Sequence, residues 1–314
     1  MPTIRAVAVD PNAPGHLSLQ SFEAPNPAPD EALIRVSAIS LNRGEVRGAQ
    51  NARPGMRPGW DVAGVIEQAA ANGQGPKIGD RVVGMLRTGA WAELINIPAT
   101  QIAVLPDSVS FEDASCLPVA GLTALYALDR ADGLTGRNVL ITGASGGVGN
   151  IGIQVAKYGG ATVTGLVRQE KHAQSCLDAG ADHVYADETG EAARAGGPYN
   201  VVLEAVGGQV LANAISMLAP NGLVVVYGVS GAGGPMTLES SLFLRTGGTV
   251  SGLRVFTEIM RESATVGLGR LANMVDKGKL KPLISVRAPW SEIGNLAQQL
   301  IDRAYPGKAV VTVS

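Results

Sequence analysis

The densest chemistry in the chain lies in Val139-Leu-Ile-Thr-Gly-Ala-Ser-Gly-Gly-Val-Gly149. An apolar strand runs into a glycine-rich turn, after which Val148, Ile151 and Val155 recur at the spacing of a helix with one buried stripe. With glycine at 146, 147 and 149, the backbone of Ala144, Ser145, Gly146, Gly147, Val148 and Gly149 can come close to a pyrophosphate, and the helix can pack against the first strand. The helix N-terminus behind it offers N–H donors and the positive end of its dipole. The pattern predicts a dinucleotide cradle. A second strand, Ala161-Thr-Val-Thr-Gly-Leu-Val167, ends at Arg168. An acidic residue there would bind the ribose 2′-hydroxyl of NAD, whereas a cation welcomes the 2′-phosphate of NADPH. Arg168 therefore points to NADPH. Lys171 and His172, one turn further, are either additional donors to that phosphate or the solvated first turn of a helix.

These residues need a parallel sheet to present them. From Arg137 to about Leu253, apolar runs alternate with helical stretches: Asn138–Thr142, Ala161–Val167, Val201–Leu203, Gly222–Tyr227 and Thr249–Leu253. Strands apolar on both faces, alternating with helices, indicate an α/β fold with a helix-covered parallel sheet. Such sheets gather ligands at the carboxyl ends of their strands, which makes Val206, Gly228, Val229 and Leu253 further candidates for cofactor contact. Residues 1 to about 115 read differently, as short alternating strands bounded by Pro and Gly: Glu31–Ser37, Asp61–Glu67, Asp80–Gly84 and Ala92–Asn96. Phe111–Ala131 is expected to be helical. The tail carries helical patterns over Thr257–Lys277 and Trp290–Ala304 and a closing strand at Lys308–Val313. It is too short for a domain of its own and is expected to return to the β-rich part. Trp60, Trp91 and Phe256 fill core or line a substrate pocket.

Composition excludes several classes of function. In 314 residues, 25 Lys+Arg face 27 Asp+Glu without basic blocks, so neither a nucleic acid nor an anionic membrane is an expected partner, and a small molecule is. Cys116 and Cys176 cannot form a disulfide framework or a four-cysteine zinc lobe, and with no secretory pattern at the start a cytoplasmic location is expected. The charge-free run from Ala205 to Leu238 is long enough to span a bilayer. Gly207-Gly208, Pro220-Asn221-Gly222 and Gly231 to Pro235 break it into buried core with turns.

Taken in order, Ser40-Leu-Asn42, Gly79-Asp-Arg-Val82, Gly89-Ala-Trp-Ala-Glu93, Leu117-Pro-Val-Ala-Gly-Leu-Thr-Ala124, Ala144-Ser-Gly-Gly-Val-Gly149, Gly180-Ala-Asp182 and Gly307-Lys-Ala-Val310 resemble the medium-chain dehydrogenase/reductase superfamily. The resemblance spans nearly the whole chain and falls in the zinc-independent quinone oxidoreductase branch. It implies a Rossmann doubly wound parallel sheet (119–257) nested in a GroES-like β-rich catalytic domain (1–118, completed by 258–314). It further implies hydride transfer from NADPH to a quinone or α,β-unsaturated carbonyl, and a homodimer. In such relatives the residues corresponding to Asn42 and Thr123 lie near the nicotinamide ribose and ring.

The departures from the family pattern matter as much. Zinc-dependent relatives carry a Cys and a Gly-His-Glu motif where this chain has Leu41-Asn42-Arg43 and Gly59-Trp60-Asp61, so no metal is expected. Many related reductases place a tyrosine or phenylalanine where Arg43 stands, and a tyrosine there can serve as proton donor. Arg43 can stabilise developing negative charge on oxygen, but a guanidinium does not release its proton. Glu45 is the nearest titratable group and is expected to be an exposed carboxylate paired with Arg43 or Arg47. Asp61 is expected to support the site from behind, and His172 takes the place of the family's phosphate-binding lysine. The missing tyrosine keeps two alternatives open: an enoyl-thioester reductase, or a catalytically silent NADPH-binding regulatory protein.

Overall fold

The computed structural model describes residues 2–231 and 234–313. They form two compact units, one running to Leu122 and resuming at Ile259, the other spanning Thr123–Glu258.

The first unit begins with β1 (Thr3–Val9) and β2 (Leu17–Glu23), which pair antiparallel as a separate hairpin. Then come β3 (Glu31–Ser40), α1 (Arg43–Gln50), β4 (Asp61–Gln68), β5 (Arg81–Met85), β6 (Leu94–Pro98), β7 (Ile102–Val104) and α2 (Phe111–Ser115). The expected helix over 111–131 is interrupted. Pro118 cannot donate an N–H to a regular helical ladder, and Leu117–Gly121 forms a π turn before α3 (Leu122–Asp129) resumes.

The second unit follows α3 with β8 (Asn138–Thr142), α4 (Gly147–Tyr158), β9 (Thr162–Val167), α5 (Ala173–Asp178) and β10 (His183–Ala186). Next are β11 (Tyr199–Glu204), α6 (Gly208–Ser216), β12 (Leu218–Val226), α7 (Ser241–Thr246), β13 (Thr249–Gly252) and α8 (Val255–Glu258). Its sheet runs β10-β9-β8-β11-β12-β13 with every neighbouring pair parallel. This is the doubly wound order, whose direction of winding reverses between β8 and β11, where ligands collect. Val139, Ile141, Val163, Val201, Val202 and Leu203 are all at 0% exposure, as a sheet covered on both faces requires.

The tail returns to the first unit. The helical pattern expected over 257–277 breaks between α8 and α9 (Ala264–Asp276), where Ser263 Oγ accepts from the Thr265 N–H and caps the new helix. β14 (Ile284–Pro289), α10 (Ile293–Ile301) and β15 (Lys308–Thr312) complete the chain. The large sheet has the order β14-β15-β3-β4-β5-β7, with β6 also paired to β3. β3 spends its first half on β6, through Glu31–Arg35, and its last residues on β15, Ser40 opposite Val310. The end of β3, the start of β4 and the start of β15 thereby meet. A core including Ile34, Ile39, Val62, Val82, Trp91, Ile97 and Val311 backs them.

Candidate active site

In the first unit, the meeting of strand ends buries a polar cluster. Asp61, which opens β4, is at 0% exposure, and Lys308, which opens β15, is at 3%. Asp61 Oδ2 accepts from Ser40 Oγ (2.7 Å), Asn42 Nδ2 (2.6 Å) and Lys308 Nζ (3.2 Å), while Oδ1 accepts from the Val119 N–H (2.9 Å). Lys308 Nζ also donates to the Leu41 carbonyl (2.9 Å) and to Asn42 Oδ1 (2.5 Å). Asn42 is the N-cap of α1 in a reciprocal capping box with Glu45, whose Oε1 accepts from the Asn42 N–H (2.7 Å) and from Asn42 Nδ2 (3.0 Å).

The expectation for Glu45 is corrected. Glu45 is not an exposed partner of Arg43 or Arg47. It is at 4% exposure, and its Oε2 has no hydrogen-bond partner among the described residues. Burial, and then the charge of Asp61, hold its carboxyl well above the usual range, against the opposing pull of Lys308 and the Asn42 bonds. The cause is the capping geometry, which turns the side chain back under the helix rather than out to solvent. Arg43 reaches the Ile301 carbonyl at the end of α10 (3.5 Å). Cys116 packs in the same region with its thiol pushed up to about 12, chiefly by burial, so it is no nucleophile. Trp91 is core at 0% exposure and Trp60 is half-buried.

The second unit presents the glycine turn. Gly146 is the N-cap of α4 and no side chain caps that helix, which leaves its first turn suited to anionic oxygens. Ala144 is buried, and Ser145, Gly146, Gly147 and Val148 are partly exposed. Val148 thus leaves the buried stripe that Ile151 (1%) and Val155 (7%) keep. Gly149 serves the close helix packing that its place in the motif suggests. A Cβ there would sit 2.5 Å from the Gly143 carbonyl oxygen and 2.7 Å from Ala144 Cα, both backbone, so its absence lets α4 pack on the turn.

At the end of β9, Arg168 and Lys171 are exposed and His172 is half-buried. The His172 pKa is lowered by desolvation, then by the charges of Lys171 and Arg168, so the imidazole beside these two cations is biased toward its neutral form. Where the winding reverses, Glu204 Oε1 accepts from Thr142 Oγ1 (3.2 Å) and from the N–H groups of Val206 (2.8 Å) and Gly207 (3.1 Å). Thr142 Oγ1 in turn accepts from the Ala205 N–H (2.9 Å). The ends of β8 and β11 are stapled by this arrangement, and burial raises the Glu204 carboxyl. A Cβ at Gly228 would lie 3.1 Å from the Ala205 carbonyl oxygen, Val229 is 66% exposed, and Leu253 is buried with its N–H on the Val226 carbonyl (2.8 Å). Thr123, on α3, is 5% exposed.

Among the described residues, no group of three or more His, Cys, Asp or Glu is placed to hold a metal ion. The residues present do fit a dinucleotide, through the uncapped head of α4 and the exposed cations beyond β9. No helix among the described residues is long and apolar enough to cross a membrane.

Comparison with known proteins agrees with this architecture. The family model for an alcohol dehydrogenase GroES-like domain matches residues 28–107, and that for a zinc-binding dehydrogenase matches residues 147–268. The chain is 27% identical to the synaptic vesicle membrane protein VAT-1 homolog of Mus musculus, over 94% of this chain and 80% of that protein. It is 29% identical to the chloroplast envelope quinone oxidoreductase homolog of Arabidopsis thaliana, over 95% and 94%. A solved mycobacterial protein complexed with NADPH superimposes with a TM-score of 0.86 at 26% identity, over 98% of this chain and 99% of that one. A doubly wound sheet, a GroES-like unit completed by the chain's tail and these likenesses lead to one assignment: the chain belongs to the medium-chain dehydrogenase/reductase superfamily, in its quinone oxidoreductase-like branch.

Proposed function

We propose that this oxidoreductase is a zinc-independent, NADPH-dependent reductase of quinones or α,β-unsaturated carbonyls. The observation that carries the reading is the pairing, within one parallel sheet, of an uncapped α4 N-terminus with the exposed cations Arg168 and Lys171, and His172 beside them, at the end of β9. The first supplies N–H donors for a pyrophosphate, and the second supplies the charge that a 2′-phosphate requires.

When bound, NADPH supplies a hydride from its nicotinamide C4. The protein's part is to bind, orient and stabilise. Ala144, Ser145, Gly146, Gly147, Val148 and Gly149 form the phosphate turn; Val206, Gly228, Val229 and Leu253 mark the strand ends that face the ribose and nicotinamide. Asn42 and Thr123 orient the nicotinamide end, and the Arg43 guanidinium stabilises negative charge that develops on the substrate oxygen. A substrate already polarised by conjugation needs no Lewis acid, in keeping with Leu41-Asn42-Arg43 and Gly59-Trp60-Asp61 where zinc-dependent relatives carry a Cys and a Gly-His-Glu motif. The resemblance also supports a homodimer, and the two lone cysteines fit a reducing cytoplasm.

The test is NADPH oxidation by the purified protein against benzoquinone, phenanthrenequinone, hexenal and crotonyl-CoA, repeated with NADH. Turnover with quinone or enal supports the proposal, turnover with the thioester alone replaces it with an enoyl-thioester reductase, and tight NADPH binding without turnover replaces it with a regulatory binding protein. Arg168→Ala is expected to raise KM for NADPH roughly tenfold, the worth of one charge-assisted hydrogen bond, and to leave KM for NADH unchanged. An equal change for both cofactors refutes the 2′-phosphate assignment.

A further inference from the structure

A guanidinium withdrawn from water needs acceptors around it, and the Nε of Arg57 has none. Arg57 lines a groove of about 460 Å³ in the first unit, together with Asn96 and the apolar side chains of Pro25, Met56, Leu86 and Ile95. The side chain is held in place from two directions. Its Cζ lies 5.2 Å from the centroid of the Phe22 ring on β2, and Nη2 reaches the Gly89 carbonyl at 3.5 Å, at the far limit of a hydrogen bond. The backbone beneath it is fixed as well, because Thr88 Oγ1 donates to the Arg57 carbonyl and the Gly89 N–H donates to the Pro58 carbonyl (3.1 Å). Yet Nε is buried without a hydrogen-bond partner among the described residues. Burial lowers the Arg57 pKa, and no carboxylate among those residues counters it.

Asn96, on β6, adds the opposite polarity. Its Nδ2 donates to the Asn26 carbonyl (2.8 Å), and the reversed amide would set oxygen against oxygen, so one orientation is imposed. Oδ1 is thereby turned away from Asn26, and it too is buried without a partner among the described residues. An apolar wall with one unused cationic N–H and one unused carbonyl oxygen is the makeup of a small-molecule site, and each polar group is costly to leave unmade. The guanidinium selects an anion. The Asn96 oxygen disfavours an anion that carries acceptors alone, such as a phosphate dianion, and favours one that also brings a donor.

We infer that this groove is a binding site for a small carboxylate with an apolar body and a hydroxyl or N–H donor, the carboxylate on Arg57 and the donor on Asn96. The inference stands apart from the reductase reading, since such binding needs neither cofactor nor turnover.

The probes are benzoate, 3- and 4-hydroxybenzoate, benzyl alcohol and inorganic phosphate. Each is titrated with the full chain at fixed ionic strength and followed through the ligand's nuclear magnetic resonance signals. Benzoate and the hydroxybenzoates are expected to bind saturably below about 10 mM, a range open to ligands of this size. At least one hydroxybenzoate should be about fivefold tighter than benzoate, and benzyl alcohol and phosphate about tenfold weaker. Arg57→Met is expected to weaken benzoate and the hydroxybenzoates roughly tenfold and to leave benzyl alcohol unchanged, the worth of one charge-assisted hydrogen bond. Asn96→Ala is expected to erase the preference for hydroxybenzoate and to leave benzoate unchanged. Should either variant lack a cooperative melt, Met56→Trp, a change at a residue 38% exposed, fills the groove from its surface and should block every aromatic probe. Absence of saturable carboxylate binding overturns the inference and leaves solvent as the partner of both groups. Phosphate or benzyl alcohol binding as tightly as benzoate overturns it too, as do variants that weaken all probes by one common factor.

Discussion

Replacing Glu45 with glutamine tests the charge state of the buried cluster directly. Two carboxyls and one ammonium are enclosed together, and Lys308 can balance only one negative charge. Asp61 accepts four hydrogen bonds and Glu45 two, both on Oε1, with Oε2 buried and unpartnered. Burial and the Asp61 charge raise the Glu45 pKa, so the folded state holds a proton there that the unfolded chain releases at its ordinary value of about 4.3. With the folded pKa above the unfolded one, the unfolded state binds fewer protons in between. Stability from this group is therefore fully present below the unfolded pKa and is lost as pH rises toward the folded one, by up to about 1.4 kcal/mol per pH unit. Glutamine reproduces the neutral acid and has no proton to lose. Glu204 is also raised, but it contributes equally to both proteins and cancels in the difference. Urea unfolding of wild type and Glu45→Gln at matched pH values from 5 to 8, an interval chosen to lie above about 4.3, should show the variant gaining on wild type as pH rises from the low end, until the folded pKa of Glu45 is passed. A difference that stays constant, or one that grows in favour of wild type, would mean that Glu45 is ionised against Lys308 and would refute the argument.

Two further outcomes follow from local geometry. Gly149→Val drives a Cβ into the backbone of Gly143 and Ala144, neither of which can swing aside, so a loss of at least about 1–3 kcal/mol in urea unfolding is expected together with loss of NADPH binding; unchanged stability would count against this packing. Asp61→Ala strips the counter-charge from an ammonium at 3% exposure and should cost about 3–5 kcal/mol in the same assay, whereas a cost below about 1 kcal/mol would show that the pair is hydrated.

The parallel sheet was legible because its signals are local. Apolar runs such as Asn138–Thr142 and a glycine turn ahead of a helical stripe need no distant partner to be read. Elements whose signals are mixed escaped notice. β14 alternates half-buried and exposed residues and carries Arg287 and a terminal Pro289, and β10 is a four-residue edge strand opening with exposed His183. Two helix breaks had readable causes, Pro118 in one and the capping Ser263 in the other. So did Glu45, since Asn42 followed three residues later by a glutamate is a capping-box spacing, and that box turns the carboxylate inward. Lys308 had no such signal. It stands 266 positions from Asn42 and meets it only because β15 pairs antiparallel with the end of β3.

That long-range closure bears on why the cluster is charged at all. Holding three strand ends together does not call for a buried ion pair, because apolar side chains of similar volume would serve as well or better once desolvation is counted. What apolar side chains cannot do is orient an amide. Asp61 and Glu45 each accept from Asn42 Nδ2, and Lys308 donates to Asn42 Oδ1. The cluster fixes the amide of the α1 N-cap from elements at opposite ends of the chain, Oδ1 toward Lys308 of β15 and Nδ2 toward Asp61 of β4, an arrangement that exists only once β15 has paired with β3.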